Sequence, residues 1–286
     1  MSNKNSNQKY LIIHADDAGL SHSQNKAIMQ SLEEGVVSSY SIMVPCPCFD
    51  EIAQFAKQNP EFDCGVHLTL TCEWKSYKFG PVLPVTEVPS LVDDDGYFPM
   101  SRDEVRKKAN PIEVEKELRA QIDRMLSMGI KISHLDSHMY TIGLSPDLLD
   151  VYKRLGRDYN LPVFLDEHHL NEFGIDIKQE LSASDFCVDN TYLGDYSMFE
   201  KGQLSKYYEH ILNELPNGFN MLLVHPAFDD DEMRQITIDH PNFGSEWRQI
   251  DFDFLNDNRT SILLKENNIQ LISWGEVLTK KPCIED

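Results

Sequence analysis

Seven short runs rich in apolar and β-branched residues, at positions 10–15, 36–44, 62–70, 131–135, 161–165, 221–224 and 270–273, are separated by longer stretches of helical period. This alternation is the pattern of parallel strands joined by crossover helices. No Gly-x-Gly-x-x-Gly follows the first run and no Gly-x-x-x-x-Gly-Lys-Ser/Thr occurs anywhere, which disfavours NAD and ATP as cofactors. The predicted fold class is therefore α/β. Seven strands with helical crossovers fit a single-domain (β/α) barrel of TIM-like type, distorted or incomplete, better than a doubly wound sheet.

The clearest helix is predicted over 111–128, where Pro111 suits a first turn, Ile112, Leu118, Ile122, Met125 and Leu126 recur at three to four, and Gly129 is a stop. Its Glu113, Glu117 and Arg124 read as a solvated face. A second helix is predicted over 146–159. Between 71 and 102 the periodicity lapses into a segment holding Pro81, Pro84, Pro89, Gly96 and Pro99. A loop of that length after a strand carrying a histidine reads as a lid over a pocket. No repeat or linker divides the chain, so residues 10–286 are expected to form one catalytic domain behind a flexible N-terminal segment, 1–9.

Composition narrows the partners. Lys and Arg number 26 against 47 Asp and Glu, a formal charge of −21 over 286 residues. A phosphate-binding face needs the opposite excess, so nucleic acid and anionic membrane are poor partners. No apolar stretch is long enough for a signal-peptide core or a membrane span, and a cytoplasmic protein with reduced cysteines is expected. Cys46-Pro47-Cys48 lacks a second pair at zinc-finger spacing and reads as packing. No decisive interface stripe speaks for or against a homo-oligomer.

The informative residues stand where the predicted strands end, the rim that holds the active site of parallel barrels. The first strand runs into His14-Ala15-Asp16-Asp17-Ala18-Gly19, the third carries His67, the fourth leads into His134-Leu135-Asp136-Ser137-His138, and a late strand ends in Val224-His225-Pro226. Any one of these histidines alone reads as hydrogen-bonded structure, and Asp16-Asp17 alone as a helix cap. Four strands delivering such residues to one rim read differently. A carboxylate and two imidazoles from different strands make a three-ligand cation site with positions open for water and substrate. Adjacent Asp16 and Asp17 repel, so one is expected to be neutralised by a cation and the other left free to take a proton.

These residues resemble the YdjC-like carbohydrate deacetylases, which include diacetylchitobiose deacetylases. The matching motifs, in order, are His14-Ala15-Asp16-Asp17-Ala18-Gly19-Leu20-Ser21 with Asn25, Gly35-Val36-Val37-Ser38-Ser39, Ser41-Ile42-Met43-Val44, and Gly65-Val66-His67-Leu68-Thr69-Leu70. Ser90-Leu91-Val92-Asp93-Asp94-Asp95-Gly96-Tyr97-Phe98, His134-Leu135-Asp136-Ser137-His138 and Leu223-Val224-His225-Pro226-Ala227 complete the series. The resemblance implies a barrel-like fold and a metal-dependent hydrolase removing the N-acetyl group of an amino sugar or short chito-oligosaccharide. It implies Asp17, His67 and His138 as metal ligands, Asp16 as general base and His225 as general acid. The chain departs from the family's usual Asn-Ala-Asp-Asp-Phe-Gly at His14 and Ala18, and from its histidine-rich continuation at Met139-Tyr140-Thr141-Ile142.

One divalent ion is expected, among Zn, Mg, Mn, Co and Ni. Two imidazoles and a carboxylate suit the transition metals, whereas Mg prefers more oxygen ligands. Asp136 is expected to orient a ligand histidine, and His134 either to do the same or simply to pack. Trp74 is a candidate to stack on a sugar and equally to pack the lid. Arg248 reads as a surface salt bridge, with substrate contact as the alternative. His168, His169, Asp229, Asp230, Asp231 and His240 read as exposed loop residues. Two other functions stay open: a metal-dependent hydrolase of another amide or ester bond, and a sugar-binding protein without catalysis.

Overall fold

The computed structural model describes residues 8–143, 145–166, 170–171, 174–176 and 186–280. Residues 1–7, the greater part of the expected flexible segment, lie outside them, as do His168 and His169. The strands are β1 (Lys9–Ala18), β2 (Ser39–Ile42), β3 (Cys64–Leu68), β4 (Leu135–Ser137), β5 (Asn190–Tyr192), β6 (Gly218–Val224) and β7 (Ile269–Leu271). The helices are α1 (His22–Glu33), α2 (Phe49–Gln58), α3 (Arg102–Lys108), α4 (Pro111–Ser127), α5 (Pro146–Tyr159), α6 (Tyr196–Glu200), α7 (Leu204–Glu214), α8 (Asp231–Ile236), α9 (Ser245–Asn256), α10 (Asn258–Glu266) and α11 (Trp274–Lys280).

All strand pairs are parallel, in the order β4-β3-β2-β1-β6-β5, with β7 also on β1. β1 is the axis of this curled sheet because Leu11, Ile12 and Ile13 are apolar in succession and are buried, as a strand covered on both faces requires. It pairs with β6 from Lys9 to Ala15 along one edge. On the other edge β7 takes Lys9–Leu11, and β2 takes over from His14. That division of one edge between two strands distorts the barrel. Beyond β4 the sheet is carried on by two isolated bridges, Leu135↔Val163 and Asp166↔Val188, which lead to the segment entering β5. The architecture is thus the expected α/β, distorted TIM-like barrel.

Several expected elements shift. The run 161–165 supplies a bridge, not a ladder. β4 begins at Leu135, so it consists largely of the polar residues that follow the predicted strand. β5 was not expected, since Asn190, Thr191 and Tyr192 are half-buried and carry no apolar run. α4 and α5 stand as expected to within a residue, each with proline in its first turn. Among the described residues no helix is long and apolar enough to cross a membrane.

The segment 71–102 is packed on the barrel. Cys72, Phe79, Val88, Leu91 and Phe98 are buried. Glu117, read from the sequence as solvated, is 0% exposed and accepts the backbone N–H groups of Val82 and Leu83 at 2.9 and 3.0 Å. Glu113 accepts from Ser90 N at 2.7 Å. The α4 acids face this segment because its irregular backbone has amides that no ladder satisfies. Arg124 does lie on the surface, over the Phe49 ring.

Candidate active site

Ordinary alternation would send Asp16 and Asp17 to opposite faces of β1. The β1–β2 register slips between Ala15 and Ala18, and Asp17 adopts φ 66°, a left-handed conformation that Asp tolerates better than most residues. This bulge brings both carboxylates into one buried cluster. Gly19, at φ 98°, completes the turn, and its N–H donates to Asn25 Oδ1 at 2.6 Å.

Oδ1 of Asp17 lies 3.1 Å from His138 Nδ1 and 3.4 Å from His67 Nε2. The opposite nitrogen of each ring is held by another carboxylate. His67 Nδ1 is 3.0 Å from Asp136 Oδ2, and His138 Nε2 is 2.9 Å from Glu73 Oε2. With a cation bound, the carboxylate behind each imidazole would keep the proton on that side and leave the facing nitrogen a lone pair, the tautomer a metal ligand needs. Without one, the surrounding carboxylates overcome burial and raise the pKa of both rings, that of His138 to about 9. Asp17, His67 and His138 therefore form a group able to hold a cation, all three buried. Asp17 Oδ1 has no hydrogen-bond donor, which suits an atom meant for a cation. Its other oxygen accepts from Arg248 Nη2 at 2.9 Å. Burial alone would raise the Asp17 pKa, but the Arg248 charge and the two histidines hold it well below the usual carboxylate range.

Asp16 stands beside this group. Its Oδ1 lies 3.1 Å from His14 Nε2 and its Oδ2 lies 3.6 Å from His225 Nε2. Burial lowers the His225 pKa to about 4, so the ring is neutral at pH 7. The His225 backbone N–H donates to Asp251 Oδ2 at 2.9 Å, and the Tyr208 hydroxyl donates to Oδ1 at 2.6 Å. Phe243 packs on the His225 ring at 4.9 Å between centroids. Strand-end positions thus bring Asp16, Asp17, His67, His138 and His225 together with Asp136.

Arg248 corrects the sequence reading. It is 1% exposed, not on the surface, and also donates to Gln24 Oε1 at 2.6 Å and Phe243 O at 2.7 Å. Trp74 is likewise 1% exposed, lies 5.5 Å beneath the Arg248 guanidinium and packs on His240, so its face is not offered to a sugar. His134 pairs with neither His67 nor His138. It lies between Trp274, stacked at 5.1 Å, and His14, edge-on at 5.0 Å, with Nδ1 2.8 Å from Ser133 Oγ. Gly65 makes this possible, since a Cβ there would come within 2.3 Å of the His134 ring. Of the supposed loop acids, Asp230 caps α8 through Met233 N and binds Ser23. Sequence reading missed Glu73 and Asp251. Glu73 sits close behind the β3 motif, where an acid at the barrel rim was a usable signal.

The profile of the YdjC-like protein family matches residues 10–266. A carbohydrate deacetylase of Thermoanaerobacter pseudethanolicus is 29% identical over 93% of this chain and 98% of its own length. A carbohydrate deacetylase of Listeria monocytogenes is 32% identical over 93% of this chain and 99% of its own. Among solved structures, a putative cellobiose-phosphate cleavage protein of Enterococcus faecalis is 27% identical with a TM-score of 0.79, covering 94% of this chain and 99% of that one. A profile matched along most of the chain, and relatives matched nearly end to end, place it: the chain belongs to the YdjC-like protein family.

Proposed function

We propose that the protein is a carbohydrate deacetylase that uses one divalent cation to hydrolyse the N-acetyl group of an amino sugar or short chito-oligosaccharide. The observation that carries this reading is the pair of imidazoles, each backed by a carboxylate and each turning its free nitrogen to Asp17 Oδ1, beside a second carboxylate, Asp16, within 3.6 Å of His225. The names of the curated relatives support the same chemistry. Asp17, His67 and His138 would hold the cation. Two imidazoles and a carboxylate are a donor set for Zn, Mn, Co or Ni, with Mg less well matched.

The reaction adds water across the amide, giving acetate and a free amine. A divalent cation supplies Lewis acidity, polarising the acetyl carbonyl and acidifying water. Asp16 takes the proton released as water attacks. His225, neutral at rest, is placed to receive that proton from Asp16 Oδ2 and to deliver it from Nε2 to the departing nitrogen. Arg248 holds Asp17 by one oxygen and so keeps the other turned to the histidines.

Acetate release from N-acetylated mono- and disaccharides, with and without a 6-phosphate, by chelated protein reconstituted with each metal tests the reading. Asp16→Asn and His225→Ala are expected to lose turnover and keep the metal, and His67→Ala and His138→Ala to lose the metal. No acetate from any substrate would favour hydrolysis of another bond or plain sugar binding.

A further inference from the structure

His14 precedes Asp16 by two residues on β1, is 0% exposed, and is surrounded by acceptors. Nε2 lies 3.0 Å from Asp136 Oδ2 and 3.1 Å from both Asp16 Oδ1 and Ser41 Oγ, while Nδ1 lies 3.0 Å from Ser39 Oγ. The serine protons are committed elsewhere. Ser39 Oγ donates to Asp63 Oδ1 at 2.7 Å and Ser41 Oγ donates to Asp136 Oδ2 at 2.7 Å. Both hydroxyls therefore turn lone pairs toward the ring. A neutral imidazole would set one of its own lone pairs against them, whereas the imidazolium donates from Nδ1 to Ser39 and from Nε2 to Asp136 Oδ2 and turns its charge to Asp16 Oδ1, which has no hydrogen-bond partner of its own.

The charged and titratable groups around the ring agree. Asp16 faces it from β1 and Asp136 from β4, while His67 of β3 meets the same Asp136 oxygen. His134 meets the ring edge-on, and burial, with the His14 charge beside it, lowers the His134 pKa to about 4. Burial opposes a charge on His14, yet the Asp136 and Asp16 carboxylates beside it lift its pKa to about 9.

We infer that His14 is a positioning residue for the hydrolysis: a doubly protonated imidazole whose charge, 3.1 Å from Oδ1 of Asp16, keeps that oxygen turned to the ring and leaves Oδ2 as the oxygen exchanging a proton with His225. The inference rests on the deacetylase reading. A carboxylate free to rotate would present the wrong oxygen, or one pointed away from the attacking water, and positioning losses of this kind appear in turnover more than in substrate affinity.

The test compares wild type, His14→Leu, which removes both donors, and His14→Gln, which keeps a neutral donor. In His14→Leu, kcat is expected to fall about 100-fold with KM and bound metal unchanged, and His14→Gln is expected to restore at least about tenfold of that loss. Nitrogen NMR of the cation-free wild-type protein reads the ring independently of any variant's folding, and both His14 nitrogens are expected to be protonated at pH 7. A neutral ring, a His14→Leu kcat equal to wild type, or a kcat loss that follows metal loss overturns the inference while leaving the deacetylase reading in place. Absence of acetate release by wild type overturns both.

Discussion

Arg248→Met removes a buried guanidinium while keeping most of the side chain's length. In the native protein the guanidinium satisfies Asp17 Oδ2 at 2.9 Å, Gln24 Oε1 at 2.6 Å and Phe243 O at 2.7 Å. Without it, Asp17 stays buried with no donor to Oδ2, and only the His67 and His138 rings beside Oδ1 remain to balance its charge. Removing one partner of a buried ion pair costs about 3–5 kcal/mol. At roughly 2–4 °C per kcal/mol for a chain of this size class, melting should fall by about 10 °C. The diagnostic quantity is the coupling with Asp17→Asn, measured by chemical denaturation of chelated protein in a double-mutant cycle. If the guanidinium chiefly balances the Asp17 charge, the double variant is more stable than the sum of the singles predicts, by about 2–3 kcal/mol. Additivity within about 0.5 kcal/mol would refute the reasoning and reduce Arg248 to a packing residue held by Gln24, Phe243 and Trp74.

Two further outcomes are expected. Burial raises the Asp251 pKa to about 7, against about 3.9 in an unfolded chain, so its contribution to stability is fully present below about pH 4 and is lost as pH rises through about 7. The shift of about 3 units corresponds to at most about 4 kcal/mol. Asp251→Asn resembles the protonated form, so denaturation midpoints at pH 5 and pH 8 should lie closer together in the variant than in wild type, and an unchanged gap would contradict the assignment. Glu117→Ala strands the Val82 and Leu83 amides. A loss of about 2–4 kcal/mol and faster proteolytic nicking within 71–102 are expected, and wild-type protease resistance would show that α4 does not anchor this segment.

Much of the site was legible in the chain because strands buried on both faces must be apolar, so any acid or histidine at their ends stands out. Asp16, Asp17, His67, His138 and His225 were found on that contrast. Arg248 was misread because a helical arginine beside a tryptophan carries no local mark of burial, and its partner Asp17 is 231 residues away. Glu117 was misread for a similar reason: its spacing on α4 fits a solvated face, and only the folding of 71–102 over that face turns it inward. β5 escaped notice because a short strand at half-burial needs no apolar run.

The sequence by itself determined the alternation of strand and helix, hence the barrel class, and which residue types stand at its rim. Only the tertiary structure decided what those residues do to one another. The bulge at Asp16-Asp17 depends on β2 pairing, the histidine tautomers depend on Asp136 and Glu73 arriving from separate elements, and the charge on His14 depends on where two serine protons point. Periodicity reports which side of its own element a residue occupies. Protonation and ligand geometry are set by neighbours a few ångströms away in space and far off along the chain.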